Sequence, residues 1–467
     1  MRGSLQLPLP CSATRHAFGN RTGQETLITS PRIVPRAEHN ISRKQISDNA
    51  LKVLYRLKKG GYEAYVVGGG VRDILLGDEP KDFDIATNAS PEQVRDLFRN
   101  CRLIGRRFRL AHILFGPEII EVATFRANVP EQEDPDDEDR DVHDSGLILR
   151  DNVYGSMEED AFRRDFTVNA LYYNIRDFSV VDYVGGMDDI HARRLRLIGD
   201  PEERYREDPV RMLRAVRFAV KLGFEIDPAT AEPIPQLAER LEDIPAARLF
   251  DEFLKLFLGG RARDNFERLR ELGLFERLFP QTEAALAGEH AGTYLAFLRA
   301  ALESTDTRIA ADKPVTPAFL LAAFFWGPIS DQVRWLEEEG NNYAEALQIA
   351  TSLVIDRQQA RVAVPRRFQV VIRDMVHLQR RLNKRHGKRA MRLLGHPRFR
   401  AAYDFLVLRA RAGEAPEDLA DWWTRVQEMD EAERKQAFLG NAPGGGKPGG
   451  RRRGGRRRGR GKEGNHG

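Results

Sequence analysis

The sequence predicts an α+β protein, with a small mixed-sheet head at the front followed by an all-helical neck, body and tail region. Three observations carry that expectation. Residues 62–88 read as strand, glycine turn, helix and strand. Arg109–Phe115 and Ile119–Thr124 read as a hairpin about Gly116-Pro117. From Thr230 to Phe438, Ala-, Leu- and Arg-rich segments run without strand alternation. A chain of 467 residues is too long for one ordinary domain. Its 41% hydrophobic and 31% charged residues leave ample material for a core. No apolar run approaches the roughly 18 residues that span a bilayer. Cys11 and Cys101 are too few for a disulfide framework or a thiolate zinc site, which fits a reducing cytoplasm.

Residues 1–40 mix Pro, Ser, Thr, Arg and Gly without periodicity and read as a disordered leader. Organisation begins near Ile41. Ser42 or Ser47 caps a helix that carries Leu51, Val53, Leu54 and Leu57 inward and ends at Gly60-Gly61. Tyr65–Val67 is a short strand that meets Gly68-Gly69-Gly70, and Val71–Leu76 continues as helix. Glycine lets backbone N–H groups approach an anion, and a helix N-terminus adds partial positive charge. After the Gly77–Pro80 break, Lys81–Ile85 reads as a strand with Asp82 and Asp84 on one face, Phe83 and Ile85 on the other. Two ionised carboxylates side by side repel unless a cation joins them, and oxygen ligands of this kind suit Mg²⁺. Alone, neither feature is specific. The glycines complete neither a P-loop nor a dinucleotide fingerprint. Together, within seventeen residues, they point to an enzyme that handles a nucleoside triphosphate.

Ser90-Pro91 starts the next helix, with Val94, Leu97 and Phe98 inward. On the last hairpin strand Glu121 is placed to add a third carboxylate. Residues 127–146 are acidic and aperiodic and read as a disordered loop. Arg163-Arg164-Asp165 follows; guanidinium groups bind phosphate bidentately, and such clusters also occur on plain solvated surfaces. The helix that begins around Arg204 has Asp208 as its cap and Pro209 at the first position, with Arg211, Arg214 and Arg217 forming a basic ridge. Residues 441–467 carry nine Lys/Arg and one Glu, a charge of +8; with +4 overall, residues 1–440 carry −4. The basic character belongs to the tail. Its blocks Arg451-Arg452-Arg453 and Arg456-Arg457-Arg458, spaced by glycine, cannot bury a core and suit a nucleic-acid backbone.

Gly68-Gly69-x-Val71-Arg72-Asp73, then Leu75-Leu76-Gly77, then Asp82-x-Asp84, closely resembles the head motif of the tRNA nucleotidyltransferase and bacterial poly(A) polymerase family, the second class of polymerase-beta-like nucleotidyltransferases. Arg163-Arg164-Asp165-Phe166-Thr167-x-Asn169 looks like the family's second motif, and Glu207-Asp208-x-x-Arg211 its base-reading motif. The resemblance implies Asp82 and Asp84 as catalytic Mg²⁺ ligands, with Mn²⁺ as an alternative. It implies Gly68, Gly69, Arg72, Asp73, Arg163 and Arg164 at the nucleotide, and Asp208 with Arg211 at the base. Asp165 is a site residue that either binds metal or holds ribose and arginines in place. Leu103–His112, the helical body and the basic tail resemble the branch that adds AMP from ATP to RNA 3′ ends. The alternatives are CCA addition to tRNA and a non-catalytic RNA-binding protein with a vestigial head. The expected domains are a leader (1–40), head (41–185), neck (186–260), RNA-binding body (261–440) and tail (441–467). The expected partners are ATP and RNA 3′ ends, with no membrane.

Overall fold

The computed structural model describes residues 30–105, 109–127, 140–142, 148–151 and 153–440. Most of the leader, nearly all of the acidic stretch, Arg106–Phe108 of the Leu103–His112 segment and the whole arginine tail lie outside the described residues. The chain divides into two compact units, Met1–Pro280 with Ala360–Ala363, and Gln281–Gln359 with Val364–Gly467.

The first unit contains the strands. In chain order they are β1 (Arg32–Val34), β2 (Ala64–Val67), β3 (Asp84–Thr87), β4 (Cys101–Ile104), β5 (Leu110–Phe115) and β6 (Glu118–Thr124). After them come β7 (Arg140–Val142), β8 (Ile148–Asp151), β9 (Leu171–Asn174), β10 (Val180–Asp182), β11 (Arg194–Leu195) and β12 (Glu225–Ile226). Eight form one mixed sheet in the order β1-β10-β9-β2-β3-β6-β5-β4, in which β3–β6 is the parallel pair. Two strands of that sheet escaped the sequence reading. β1 lies inside the expected leader, where Val34 pairs with Val180; three residues ahead of a proline show no alternation to read. β4, four residues long, takes its place from pairing with β5. A small parallel pair, β11 with β12, interrupts the neck.

Helix starts follow the caps. Ser47 Oγ accepts from the Ala50 N–H and starts Asp48–Lys59, whereas Ser42 caps only a short 3₁₀ turn. Ser90 and Gln93 form a capping box with Pro91 at the first position of Pro91–Leu97. The helix read from Arg204 is in fact two. Asp200 caps Pro201–Glu207, the chain extends at Asp208, and Val210–Leu222 follows. The Asp208 carboxylate accepts from the Val210 N–H at 3.3 Å, but the N-cap position of the second helix falls at Pro209 and Asp208 closes the first.

Strand register decides which side chains meet. Val67 pairs with Asp84 and with Tyr172, and Asp84 with Glu121, so these residues share one face of the sheet. Val67, Ala86, Phe125, Ala161, Tyr172 and Val181 form a buried cluster there.

The second unit is helical, with Ala291–Ala310, Pro317–Glu338, Tyr343–Gln358, Arg366–Leu382, Phe399–Arg411 and Glu417–Glu428 as its longer helices. Pro328 lies inside the second of these. Having no N–H, it leaves the Phe324 carbonyl without its helical donor. Thr282 and Tyr294 hydroxyls donate to that carbonyl at 2.8 and 2.5 Å, which lets the helix continue.

Candidate active site

The first corner of the site is made by Gly68, Asp84 and Arg164. Gly68 ends β2 with φ 76° and ψ −134°, a conformation open essentially to glycine, and the helix Gly69–Leu76 starts from it. A side chain built at Gly68 would stand 3.7 Å from Arg164 Nη1 and 4.0 Å from Asp84 Oδ2. The turn, the guanidinium and the carboxylate therefore converge. Gly70 is small for a different reason: a Cβ there would press on the Phe83 ring at 3.3 Å and the Asp82 carbonyl at 3.4 Å. The helix and the Asp82–Asp84 segment pack through that gap.

Asp82 precedes β3 rather than lying within it, yet the alternation expected of the segment persists: Phe83 and Ile85 are buried, Asp82 and Asp84 are open to solvent. Protein nevertheless crowds the Asp84 carboxylate. That desolvation, with Glu121 and Asp82 nearby, pushes its pKa up to about 6, and Arg164 pulls the other way. Glu121 also faces His112 Nε2 at 3.2 Å, across the β5–β6 register. A two-residue turn at Gly116-Pro117 sets residue 112 opposite residue 121, which is the register seen.

Arg164 is held from behind. Its Nε and Nη2 donate to Asp160 at 3.1 and 2.9 Å, and Nε also reaches the Tyr172 hydroxyl at 3.0 Å. Tyr172 in turn donates to Asp160 at 2.7 Å. Burial works against the charge of Arg164, but Tyr172 and Asp160 outweigh it and keep the guanidinium firmly protonated. Nη1 is the nitrogen left toward Gly68. The carbonyls of Arg163 and Arg164 accept from Arg204 Nη2 at 2.6 and 2.7 Å, which ties this motif to the Pro201–Glu207 helix.

Three of the expected site residues are engaged by protein partners, and for Asp165 this is one of the two arrangements the sequence left open. Asp165 gives Oδ2 to Arg214 and Oδ1 to the Phe166 N–H and the Asn169 amide, so it holds arginine and backbone in place. Arg72 is 2% exposed and donates to Asp73 and, at 2.5 Å, to Asn169. Arg72 and Asp73 therefore brace one another, and Asp73 also has Lys221 at 3.7 Å. The basic ridge is an internal bracket rather than an outer surface. Arg72, Arg214 and Arg217 gather round the Phe218 ring at 5.4, 5.2 and 4.4 Å, and Arg217 faces Glu252 at 3.9 Å.

In the neck, Glu207 Oε2 accepts from Arg204 and Arg211 at 2.8 and 2.7 Å, and Arg211 Nη1 also donates to the Arg204 carbonyl. Burial, then Arg211, pulls the Arg204 pKa down to about 10 against Glu207. Asp208 takes a bond from Arg248 Nη2 at 2.6 Å. Arg248 comes from the Ala246–Phe257 helix, and no local sequence signal joins it to residue 208.

Among the described residues no group of three or more His, Cys, Asp or Glu is set to hold a metal alone. The donor chemistry still fits Mg²⁺, which binds through one or two carboxylates and completes its shell with substrate phosphates and water. Asp82 and Asp84 are hard oxygen donors, and the carboxylate repulsion at Asp84 is what a divalent cation relieves.

Comparison with known proteins decides the family. The Poly A polymerase head domain matches residues 64–196, the Probable RNA and SrmB- binding site of polymerase A matches 223–286, and the Polymerase A arginine-rich C-terminus matches 339–460. The Poly(A) polymerase I of Salmonella typhimurium is 53% identical over 406 residues, covering 86% of this chain and 87% of that one. The chain belongs to the bacterial poly(A) polymerase family. The Poly(A) polymerase I of Haemophilus influenzae is 47% identical over 420 residues, 89% of this chain and 92% of its own. The CCA-adding enzyme of Bacillus licheniformis is 39% identical over 229 residues, 49% of this chain and 55% of its own. A solved tRNA-processing enzyme (apo form I) shares the fold, with TM-score 0.57 at 22% identity over 84% of this chain and 94% of that one.

Proposed function

We propose that this member of the poly(A) polymerase family adds AMP from ATP to RNA 3′ ends without a template, releasing pyrophosphate and promoting RNA processing and decay. It is a polynucleotide adenylyltransferase. The observation that carries this reading is the identity of 53% with a Poly(A) polymerase I over 86% of the chain. Likeness to the CCA-adding enzyme of Bacillus licheniformis stops at 49% of the chain, which favours the adenylating branch over CCA addition. Intact Asp82 and Asp84 speak against a vestigial head. Among the described residues no helix is long and apolar enough to cross a membrane. A reducing cytoplasm, where ATP and RNA meet, is the proposed compartment.

Asp82 and Asp84 would hold Mg²⁺, with Mn²⁺ as the alternative and Glu121 as a third carboxylate beside them. When bound, the ion supplies Lewis acidity to the attacking hydroxyl and the triphosphate. The chain's own groups do the rest. N–H groups at the Gly68-Gly69 turn donate to phosphate oxygens, and Arg164, kept charged, offers Nη1 at the same corner. The RNA 3′-hydroxyl gives up its proton to water as its oxygen attacks the α-phosphorus, an O–P bond forms, and the α–β bridging bond breaks as pyrophosphate leaves. Arg163 and Arg164 neutralise charge on the departing group. Asp208 and Arg211 supply an acceptor and donors for the adenine edge. Asp165 acts through Arg214, and Arg72 with Asp73 through the turn they brace.

The test is incubation of the protein with Mg²⁺, an unstructured RNA and each nucleotide separately. Long products with ATP alone are expected, and none with Asp84→Ala. Products of two or three residues that need CTP and a tRNA would overturn the reading. Removing residues 444–467, the arginine tail, should weaken RNA binding and flatten its salt dependence.

A further inference from the structure

The face of the head sheet opposite Asp84 carries its own cavity. Tyr173 follows Tyr172 along β9 and so projects from the other face. There a cavity of about 540 Å³ opens, lined by Arg36, Arg43, Lys44, Tyr55, Tyr173 and Phe178, with Asp48 as its acidic residue. Arg43 lies over the Phe178 ring at 4.9 Å and donates to the Tyr55 hydroxyl at 3.1 Å. Arg36 donates to the His39 carbonyl at 2.8 Å. Among the described residues none of Arg36, Arg43 and Lys44 stands in an ion pair, so three exposed cations go uncompensated. Tyr55 is 42% exposed.

The aromatic wall is built rather than incidental. Phe178 has φ 61°, a left-handed conformation that a non-glycine residue keeps only where its surroundings enforce it. Here they do. Asn174 Oδ1 accepts from the Arg176 N–H at 2.9 Å. Asp177 Oδ1 accepts from the Ser179 N–H and hydroxyl at 3.1 and 2.7 Å, and the Phe178 carbonyl bonds the His39 ring at 2.9 Å. The turn thereby presents a ring beneath Arg43.

We infer that this cavity binds a single-stranded stretch of the RNA substrate upstream of the 3′ end, with phosphates on Arg36, Arg43 and Lys44 and a base against Tyr55 and Phe178. Cations tracking a backbone beside aromatic faces are the chemistry of sequence-tolerant single-strand binding. The terminal nucleotide belongs with Asp84 on the other face, so what lies here is RNA already past the site. This inference rests on RNA being the substrate.

The full chain and an Arg43→Ala/Lys44→Ala double variant should be titrated with a long oligoadenylate at several salt concentrations. Losing two phosphate contacts should lower the slope of log K against log salt by about 1.4, at roughly 0.7 per contact on a single strand. Tyr55→Ala should weaken binding by about tenfold and leave that slope unchanged. Extension of a trinucleotide primer should proceed at the parent rate in every variant. Parent-like affinity and slope in the double variant would overturn the inference. So would loss of binding to polyglutamate with RNA binding intact, which would make the cavity an acidic-peptide site. If the parent chain extends no RNA with ATP, the proposed function fails instead, and the two failures are told apart.

Discussion

Arg214 grips one oxygen of Asp165 twice, through Nε at 2.8 Å and Nη2 at 2.5 Å, and so joins the second head motif to the Val210–Leu222 helix of the neck. The other Asp165 oxygen is taken by the Phe166 N–H and Asn169. A carboxylate so engaged is a positioning group. Asp165→Asn keeps the shape but strands the Arg214 charge, and should destabilise the first unit by on the order of 3 kcal/mol. Urea denaturation reads that loss. The Mg²⁺ concentration for half-maximal activity should stay at the parent value. A shift as large as that of Asp82→Ala would make Asp165 a metal ligand after all.

The same pair sets an acid dependence. Burial pulls the Asp165 pKa up, but Arg214, Asn169 and the Phe166 N–H outweigh it and hold the carboxyl at about 2. The folded value lies below the unfolded one of 3.8, so the contribution is present above about pH 4 and lost as pH falls toward 2. It amounts to on the order of 2 kcal/mol. The stability gap between the parent and Asp165→Asn should therefore be constant near neutrality and narrow below pH 4. A gap independent of pH down to 2.5 would count against the pair as its source.

Gly68 and Gly77 separate backbone strain from site geometry. Both have positive φ, 76° and 89°, and a Cβ at Gly77 would meet nothing within 4 Å. Gly77→Ala should cost about 1 kcal/mol of stability with kcat/KM for ATP unchanged. Gly68→Ala carries a larger strain, since φ 76° with ψ −134° is open essentially to glycine, and at the corner between Arg164 and Asp84 it should also lower kcat/KM for ATP at least tenfold. Equal kinetic losses in both variants would remove Gly68 from the nucleotide site.

The legible parts of this fold were those with local chemistry. Ser47, Ser90 and Pro91 announce their helices through caps, and the Gly116-Pro117 hairpin fixes the β5–β6 register. The Asp82–Asp84 alternation survives even though β3 starts at Asp84. The illegible parts depend on distant partners. β1 is a strand because Val34 meets Val180, and Asp208 is oriented by Arg248, forty positions away. Charge patterning was silent on partners. The i, i+3 spacing of Arg211, Arg214 and Arg217 gives a basic ridge without saying what covers it, and Glu207, Asp165, Phe218 and Glu252 draw all three inward. Spacing gives the face of a helix; only tertiary packing says what covers it.

Arg204 links the Arg163-Arg164 segment to the Glu207–Arg211 segment. It donates to the carbonyls of Arg163 and Arg164 and to Glu207, which also holds Arg211. A lysine cannot serve these acceptors together, because it lacks the planar fork. Arg204→Lys should raise KM for ATP and lower kcat, together about a hundredfold in kcat/KM, with the RNA dissociation constant unchanged. A loss confined to RNA affinity would place Arg204 outside nucleotide handling.

Arg248 offers the sharpest test of base selection, because it touches Asp208 without belonging to the base-reading motif. Under the proposed function the Asp208 carboxylate presents an oxygen to the adenine edge, and Arg248 Nη2 holds that carboxylate at 2.6 Å. Both side chains are partly solvated, 33% and 16% exposed, so the pair itself should contribute little stability, about 1 kcal/mol or less. Arg248→Ala should therefore fold normally yet let Asp208 turn. The ratio of kcat/KM for ATP over CTP should fall about tenfold, equivalent to about 1.4 kcal/mol of lost discrimination. Arg248→Lys, which keeps one donor and the charge, should recover part of it. If the ratio holds in Arg248→Ala while stability drops, Arg248 is only a structural tie, and Asp208 selects the base without it.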